Sequence, residues 1–186
     1  MRTLGPTDPL PIVPRRIAVV GTAGVGKTTL AERLATRLQL PHVEIDGLHW
    51  GPAWTPRPDF LADVEAFVRT ERWVTEWQYT AARPLIADRA ELMVWLDLPV
   101  PVRMVRVLRR TVRRRLRRES LWAAGNIEPP LRTVLHDREH IVRWAWDTRH
   151  KFDDLPARLA ARSPHVVLVR LRSQADVDAW LTGLRT

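Results

Sequence analysis

Apolar residues fall in short runs separated by stretches of helical periodicity. Ile17-Ala18-Val19-Val20 is an unbroken apolar run that stops at Gly21, the signature of a strand buried on both faces. From Thr28 to Leu38 the apolar positions Leu30, Leu34 and Leu38 recur every fourth residue, which predicts a helix. The pattern then predicts strands over His42–Ile45, Arg72–Glu76, Leu92–Leu96 and Val166–Val169. It predicts helices over Asp59–Arg69, from Pro99 onward, from Glu128 to about Arg149, and over 174–184. Pro99 and Pro101 suit a first helical turn. Val105, Leu108, Val112 and Leu116 then stripe one face of that helix. In the next helix Leu131, Leu135, Val142 and Ala145 are expected inward. Residues 1–15, with four prolines, read as a flexible leader, and 16–186 as one domain. Strands alternating with helices predict an α/β fold on a parallel sheet.

Composition changes this picture mainly through charge. The 186 residues carry 30 Lys+Arg and 21 Asp+Glu, a net +9. Nine arginines (103, 106, 109, 110, 113, 114, 115, 117 and 118) and no acid lie between Arg103 and Arg118. The other 21 cations balance the 21 anions, so the whole excess sits on one predicted helix. A uniformly basic nucleic-acid tail is thereby excluded. There is no cysteine, so disulfides, thiolate nucleophiles and Cys-based zinc sites are excluded as well. No segment approaches the ~20 apolar residues of a membrane span, and no signal peptide is visible, so a cytoplasmic location is expected.

The chemistry concentrates at Gly21-Thr-Ala-Gly24-Val25-Gly26-Lys27-Thr28, which satisfies G-x-x-x-x-G-K-[ST] in full, between a strand and a helix. Glycines let several backbone N–H groups converge on one anion, and the following helix adds its positive end. Gly21, Gly24, Val25, Gly26, Lys27, Thr28 and Thr29 are therefore the expected ATP-binding residues. Lys27 would reach the terminal phosphates, and Thr28 would hold Mg²⁺. Glu44 and Asp46 alternate at the end of the second strand and would leave one face of it. One acid would then serve the metal through water and the other a substrate hydroxyl; two solvated surface acids are the rival reading. Glu76, closing the third strand, is the preferred metal-side acid because that strand is expected beside the P-loop strand. Asp97 is then a cap or turn residue at the helix that follows.

The arginine helix has three readings: a lid over transferred phosphate with Arg106, Arg110 and Arg114 as contacts, a solvated face opposite the apolar stripe, or a nucleic-acid contact. His136-x-x-Glu139-His140 matches an inverted zinc-protease pattern and is treated as coincidence. Of nine tryptophans, Trp73, Trp95, Trp144 and Trp180 are expected in or beside the core. Trp50 and Trp54 stand in an irregular loop, where they would either stack on a substrate or pin the loop.

These residues resemble the small P-loop kinases of the adenylate and shikimate kinase type. The resemblance is greater to the bacterial topology modulation protein or adenylate kinase-like ATPase family. It runs from Arg16 to about Leu184, and Asp46, His49 and Trp50, followed by Trp-Thr-Pro-Arg-Pro, carry its more specific part. The resemblance implies a three-layer α/β sandwich on a five-stranded parallel sheet, a substrate-binding insertion at 46–70 and an arginine lid at 109–128. It also implies that Asp46 contacts the acceptor and that Arg106 and Arg110 approach ATP. The family label implies a possible link to DNA supercoiling. Where such proteins carry Asp-Gly-Asn-Tyr, this chain has Glu76-Trp77-Gln78-Tyr79, and Trp77 would fill the space a glycine leaves for a ligand.

The expected activity is an ATP- and Mg²⁺-dependent phosphotransfer to a nucleotide, nucleoside or other small acceptor. Lys27, Asp46, Arg110 and Arg114 would be catalytic, Asp46, Trp50, Arg57 and Glu76 on the acceptor, and Thr28, Glu44 and Glu76 at the metal. The alternatives are a nucleic-acid-associated ATPase using Arg103–Arg118 and a nucleotide-binding protein without transfer activity.

Overall fold

The computed structural model describes residues 3–117, 125–126 and 140–184. Strands β1 (Thr3–Leu4), β2 (Arg16–Val20), β3 (His42–Val43), β4 (Trp73–Glu76), β5 (Leu92–Leu96) and β6 (Val167–Leu171) form one sheet in the order β1-β6-β5-β2-β4-β3. Every pairing is parallel. The helices are α1 (Lys27–Leu38), α2 (Ile45–His49), α3 (Phe60–Val68), α4 (Ala82–Arg89), α5 (Val100–Arg117), α6 (Ile141–Asp147), α7 (Leu155–Arg162) and α8 (Gln174–Gly183).

The strands are apolar throughout because both faces of the sheet are covered. Ile17 and Val19 of β2 join Leu92, Val94 and Leu96 of β5 in one core, closed by Leu30 and Leu34 of α1 and Val177, Trp180 and Leu181 of α8. Ala18 and Val20, with Met93 and Trp95, point into the other. That core is closed by Phe60 and Val64 of α3, Ile86 of α4 and Leu155 and Leu159 of α7. Period-two alternation thus makes a three-layer sandwich.

The sheet has six strands where five were expected. The extra one is β1, from the segment expected to be a flexible leader: Thr3 and Leu4 pair with Leu168 and Val169, and Leu4 is buried. The strand predicted over 42–45 ends at Val43, and α2 starts at Ile45. Glu44 and Asp46 therefore do not share a strand face. The largest correction concerns α5. Val105, Leu108, Val112 and Leu116, the expected packing stripe, are exposed, whereas Val107 and Thr111 are buried. Val107 packs with Ala23 of the P-loop and Ala145 of α6, so the helix turns its arginine-bearing side inward. Trp73, Trp95 and Trp180 are buried as expected, but Trp144 is exposed. Among the described residues no helix is long and apolar enough to cross a membrane.

Candidate active site

The P-loop joins β2 to α1. Gly24 has φ +79°, and a β-carbon there would lie 2.6 Å from both the Arg103 carbonyl oxygen and Val107 of α5. Only glycine lets α5 cross this closely. Gly26 caps α1 in the left-handed region with no side-chain hydrogen bond, so the first-turn amides keep their donors for an anion. Gly21 and Val25 are packed beneath the loop, and Thr28 and Thr29 open α1. The Lys27 ammonium donates to the Thr22 carbonyl oxygen at 3.2 Å. Burial pulls its pKa down to about 8, against the raising effect of Asp46 and Glu76; Arg110 and Lys151 push it further down. Two carboxylates and two cations from four other parts of the chain thus act on the charge of this amine.

Asp46, on α2, is held by two residues of the segment after β4. Tyr79 Oη donates to its Oδ1 at 2.6 Å, and Gln78 Nε2 donates to the same oxygen at 3.1 Å. Burial and the Asp46 charge push the Tyr79 phenol upward, so it stays a proton donor to Asp46. His49 stacks on Tyr79 with ring centres 3.9 Å apart, and Trp50 meets His49 edge-on at 4.6 Å. Trp54 packs on Trp50 at 5.6 Å. Both tryptophans of this loop pack on neighbouring rings of the insertion. Arg57 pairs with Asp63 at 2.9 Å and donates to the Leu48 carbonyl oxygen at 3.2 Å, which fixes the loop behind Asp46.

Glu76 is fully buried at the end of β4, which pairs with β2. It accepts from the Ile45 amide at 3.3 Å and shares a 3.3 Å contact with His42 Nε2. Burial pushes the Glu76 carboxyl up, but the hydrogen bond and charge of His42, with the Ile45 amide, outweigh this and hold it below its ordinary value. The same hydrogen bond raises His42. Strand β5 also flanks β2, so strand order alone does not separate Glu76 from Asp97. Asp97 Oδ2 accepts Arg170 Nε at 2.9 Å in a half-buried ion pair, while the Glu76 charge raises the Lys27 amine. Glu44 lies exposed at the cap of α2. Among the described residues no three His, Asp or Glu side chains gather as a ready metal cage.

Arg106 donates to the Val25 carbonyl oxygen at 3.4 Å and to Gln174 Oε1 at 3.2 Å, and so stands over the P-loop. Arg110 is close enough to depress Lys27, and Arg114 follows one turn later on the same side. Arg103, which periodicity did not single out, braces the loop by donating to Thr22 Oγ1 at 2.5 Å and to the Arg149 carbonyl oxygen at 3.1 Å. Part of the predicted lid, residues 118–124 and 127–128, lies outside the described residues. So do His136 and Glu139 of the zinc-like pattern. Its described member, His140, is buried and caps α6 by accepting the Val142 amide.

The Trp77 side chain is buried. Its ring turns into the second core against Phe152, 5.9 Å away, and its Nε1 donates to the Arg83 carbonyl oxygen at 2.9 Å. Gln78, Tyr79, His42 and Arg103 are the site residues that sequence reasoning missed. The Glu76–Tyr79 stretch was the available signal for two of them.

Two solved structures share this architecture. Shikimate kinase from Acinetobacter baumannii, in complex with shikimate, superposes with a TM-score of 0.51 at 16% identity, covering 90% of this chain and 89% of that chain. A gluconokinase from Sinorhizobium meliloti 1021 gives a TM-score of 0.51 at 20% identity, covering 91% of each chain. This is the fold of the small P-loop kinases. No family model and no curated protein matches the chain. At such low identity the P-loop kinase likeness establishes the fold, and the chemistry rests on the residues described above.

Proposed function

We propose that the protein is an ATP- and Mg²⁺-dependent phosphotransferase acting on a small acceptor. One observation carries this reading: beside a complete P-loop stands a carboxylate, Asp46, that Gln78 and Tyr79 orient from the segment after β4 and whose charge acts on the Lys27 amine. A loop that only bound nucleotide would need no oriented carboxylate there.

The site fits the nucleotide, since the uncapped α1 amides, the glycine turn and Lys27 form a cradle for phosphate oxygens. Thr28 would be the direct metal ligand, with Glu76 and Glu44 acting on its water shell. When bound, Mg·ATP supplies the phosphoryl group: a bond forms from the acceptor oxygen to phosphorus, and the electron pair of the broken bond leaves with ADP. The chain's own part is positioning and charge. Both donors to Asp46 occupy Oδ1, which leaves Oδ2 to take the proton of an acceptor hydroxyl. Arg106, Arg110 and Arg114 line the side of α5 turned to the loop and offset charge on the transferred group. The resemblance to the topology modulation protein family belongs to this reading: Asp46 and His49 both meet Tyr79, and Trp50 meets His49, on the side where the acceptor would bind.

The test is an ATP-consumption screen against nucleotides, nucleosides and small hydroxy acids, with Lys27→Ala as control. At least one acceptor is expected to stimulate ADP formation, and Lys27→Ala is expected to abolish it. Undiminished phosphotransfer in that variant would sink the proposal. A nucleic-acid role predicts instead a DNA affinity that falls steeply with salt and with neutralisation of the α5 arginines.

A further inference from the structure

Helix α2 carries Asp46, yet little in its own sequence fixes where it starts. It is five residues long, too short to hold its shape alone, and its cap residue Glu44 makes no side-chain hydrogen bond to the first turn. Strand β3 before it has two residues at the edge of the sheet, paired with β4 at His42–Val74 and Val43–Thr75. The rest of the hold on this segment comes from side chains of β4. Thr75 Oγ1 donates to the Val43 carbonyl oxygen at 2.8 Å. Glu76 spans the turn from β3 to α2, since its Oε1 meets His42 Nε2 and its Oε2 accepts the Ile45 amide, each at 3.3 Å.

The Glu76 side chain is 1% exposed and that of His42 18%. A carboxylate so buried needs donors on its oxygens, and it accepts without donating. His42 Nε2 therefore carries the proton of this contact. It is the only side-chain donor to Glu76 among the described residues. Without it the carboxylate would turn toward another donor or take up a proton, and either change weakens its hold on the Ile45 amide. Ile45 immediately precedes Asp46, whose Oδ1 accepts from Gln78 and Tyr79. Glu76, Gln78 and Tyr79 thus grip Ile45 and Asp46 as one clamp, and His42 closes it from β3.

We propose that His42 is a positioning residue: through Glu76 it fixes the start of α2, and with it the Asp46 carboxylate against Tyr79. Any consequence for rate rests on the phosphotransfer reading, whereas the placement of Asp46 does not.

The test exploits the fact that Tyr79 is the only tyrosine of the chain. Full-length protein grown with tyrosine isotope-labelled at Cζ gives a single NMR signal, set by the phenol hydrogen bond to Asp46. Asp46→Asn calibrates that signal for a lost carboxylate. His42→Ala is expected to move it toward the Asp46→Asn position, and His42→Gln, whose Nε2 can still donate to Glu76, to bring it back. Leu34→Ala, a destabilising change on α1, should leave it in place. The proposal is overturned if His42→Ala leaves the signal at its wild-type position, if His42→Gln does not restore it, or if Leu34→Ala moves it as far. Should His42→Ala fail to fold, His42→Leu, which keeps the bulk and lacks the donor, decides. With an acceptor in hand, His42→Ala should lower kcat about tenfold while KM for ATP stays unchanged, because the P-loop is untouched. A signal that behaves as expected in a protein that phosphorylates no acceptor would remove the phosphotransfer reading and leave the positioning role standing. Active phosphotransfer with a signal indifferent to His42 would do the reverse.

Discussion

Helices α1 and α5 repeat the same pattern in sequence and use it in opposite ways. Each places apolar side chains three or four residues apart and carries arginine in its last turn. In α1 the apolar residues Leu30, Ala31 and Leu34 are buried against the sheet. In α5 Val105 is 46% exposed and Leu116 80%, while the buried positions are Val107 and Thr111. The difference lies in the neighbour. An apolar core rewards burial of the leucines of α1. The inner neighbour of α5 is the P-loop, with its polar backbone groups, and that side is filled by Arg103, Arg106 and Arg110. Periodicity gives the presence of a helix and its two sides. The chemistry of what the helix meets selects the side that turns inward.

If this account of α5 is right, its inner arginines matter for rate and α1's inner leucines for stability. Beyond the loss expected of Lys27→Ala, the largest effect falls on Arg110→Ala, with kcat down by about 10³ once an acceptor is known. Thermal unfolding measured alongside should separate this from misfolding, and a kcat within threefold of wild type would return Arg110 to the solvated surface. On α1, Leu34→Ala should cost about 2–5 kcal/mol in urea unfolding, because the fully buried side chain leaves a cavity. A loss below 1 kcal/mol would mean that α1 packs no better than α5.

A smaller effect comes from Lys151, whose pKa is lowered to about 8. Its ammonium is lost from the folded protein as pH rises through that value. The unfolded lysine keeps its proton up to about 10.5, so this residue makes folding more favourable as pH climbs from 8. A urea-unfolding stability that does not rise from pH 8 to 10 relative to Lys151→Gln would show that burial does not disfavour this ammonium.

What could be read from sequence divides along the same line. The run from β2 through the P-loop into α1 was legible because strand, motif and helix are contiguous and locally determined. Strands β4 and β5 were legible as apolar runs. Strand β1 was not: two residues carry no periodicity, and Leu4 is a strand residue only because Leu168 and Val169 lie beside it. Helices α4 and α7 were missed because Ala82–Arg89 and Leu155–Arg162 are short and each contains a proline. In the site, Lys27 and Thr28 follow from the motif. The fixing of Asp46 does not, since Gln78 and Tyr79 reach it across 32 and 33 residues. The approach of Arg83 and Arg158 to one ring, Phe152, is likewise a product of tertiary packing.

The smallest expected effect is the sharpest test of the comparison. Leu34 and Leu116 are the same residue type on the apolar stripes that periodicity assigns to two helices, so a reading based on pattern alone assigns both a similar cost on truncation. The structure assigns Leu116 almost none. At 80% exposed it has little apolar area to return to water, and alanine has the better helix propensity. Leu116→Ala should shift urea stability by no more than about 0.5 kcal/mol in either direction. A loss near that of Leu34→Ala would show that the outer stripe of α5 is packed in solution, and the inward side of the helix would have to be assigned afresh.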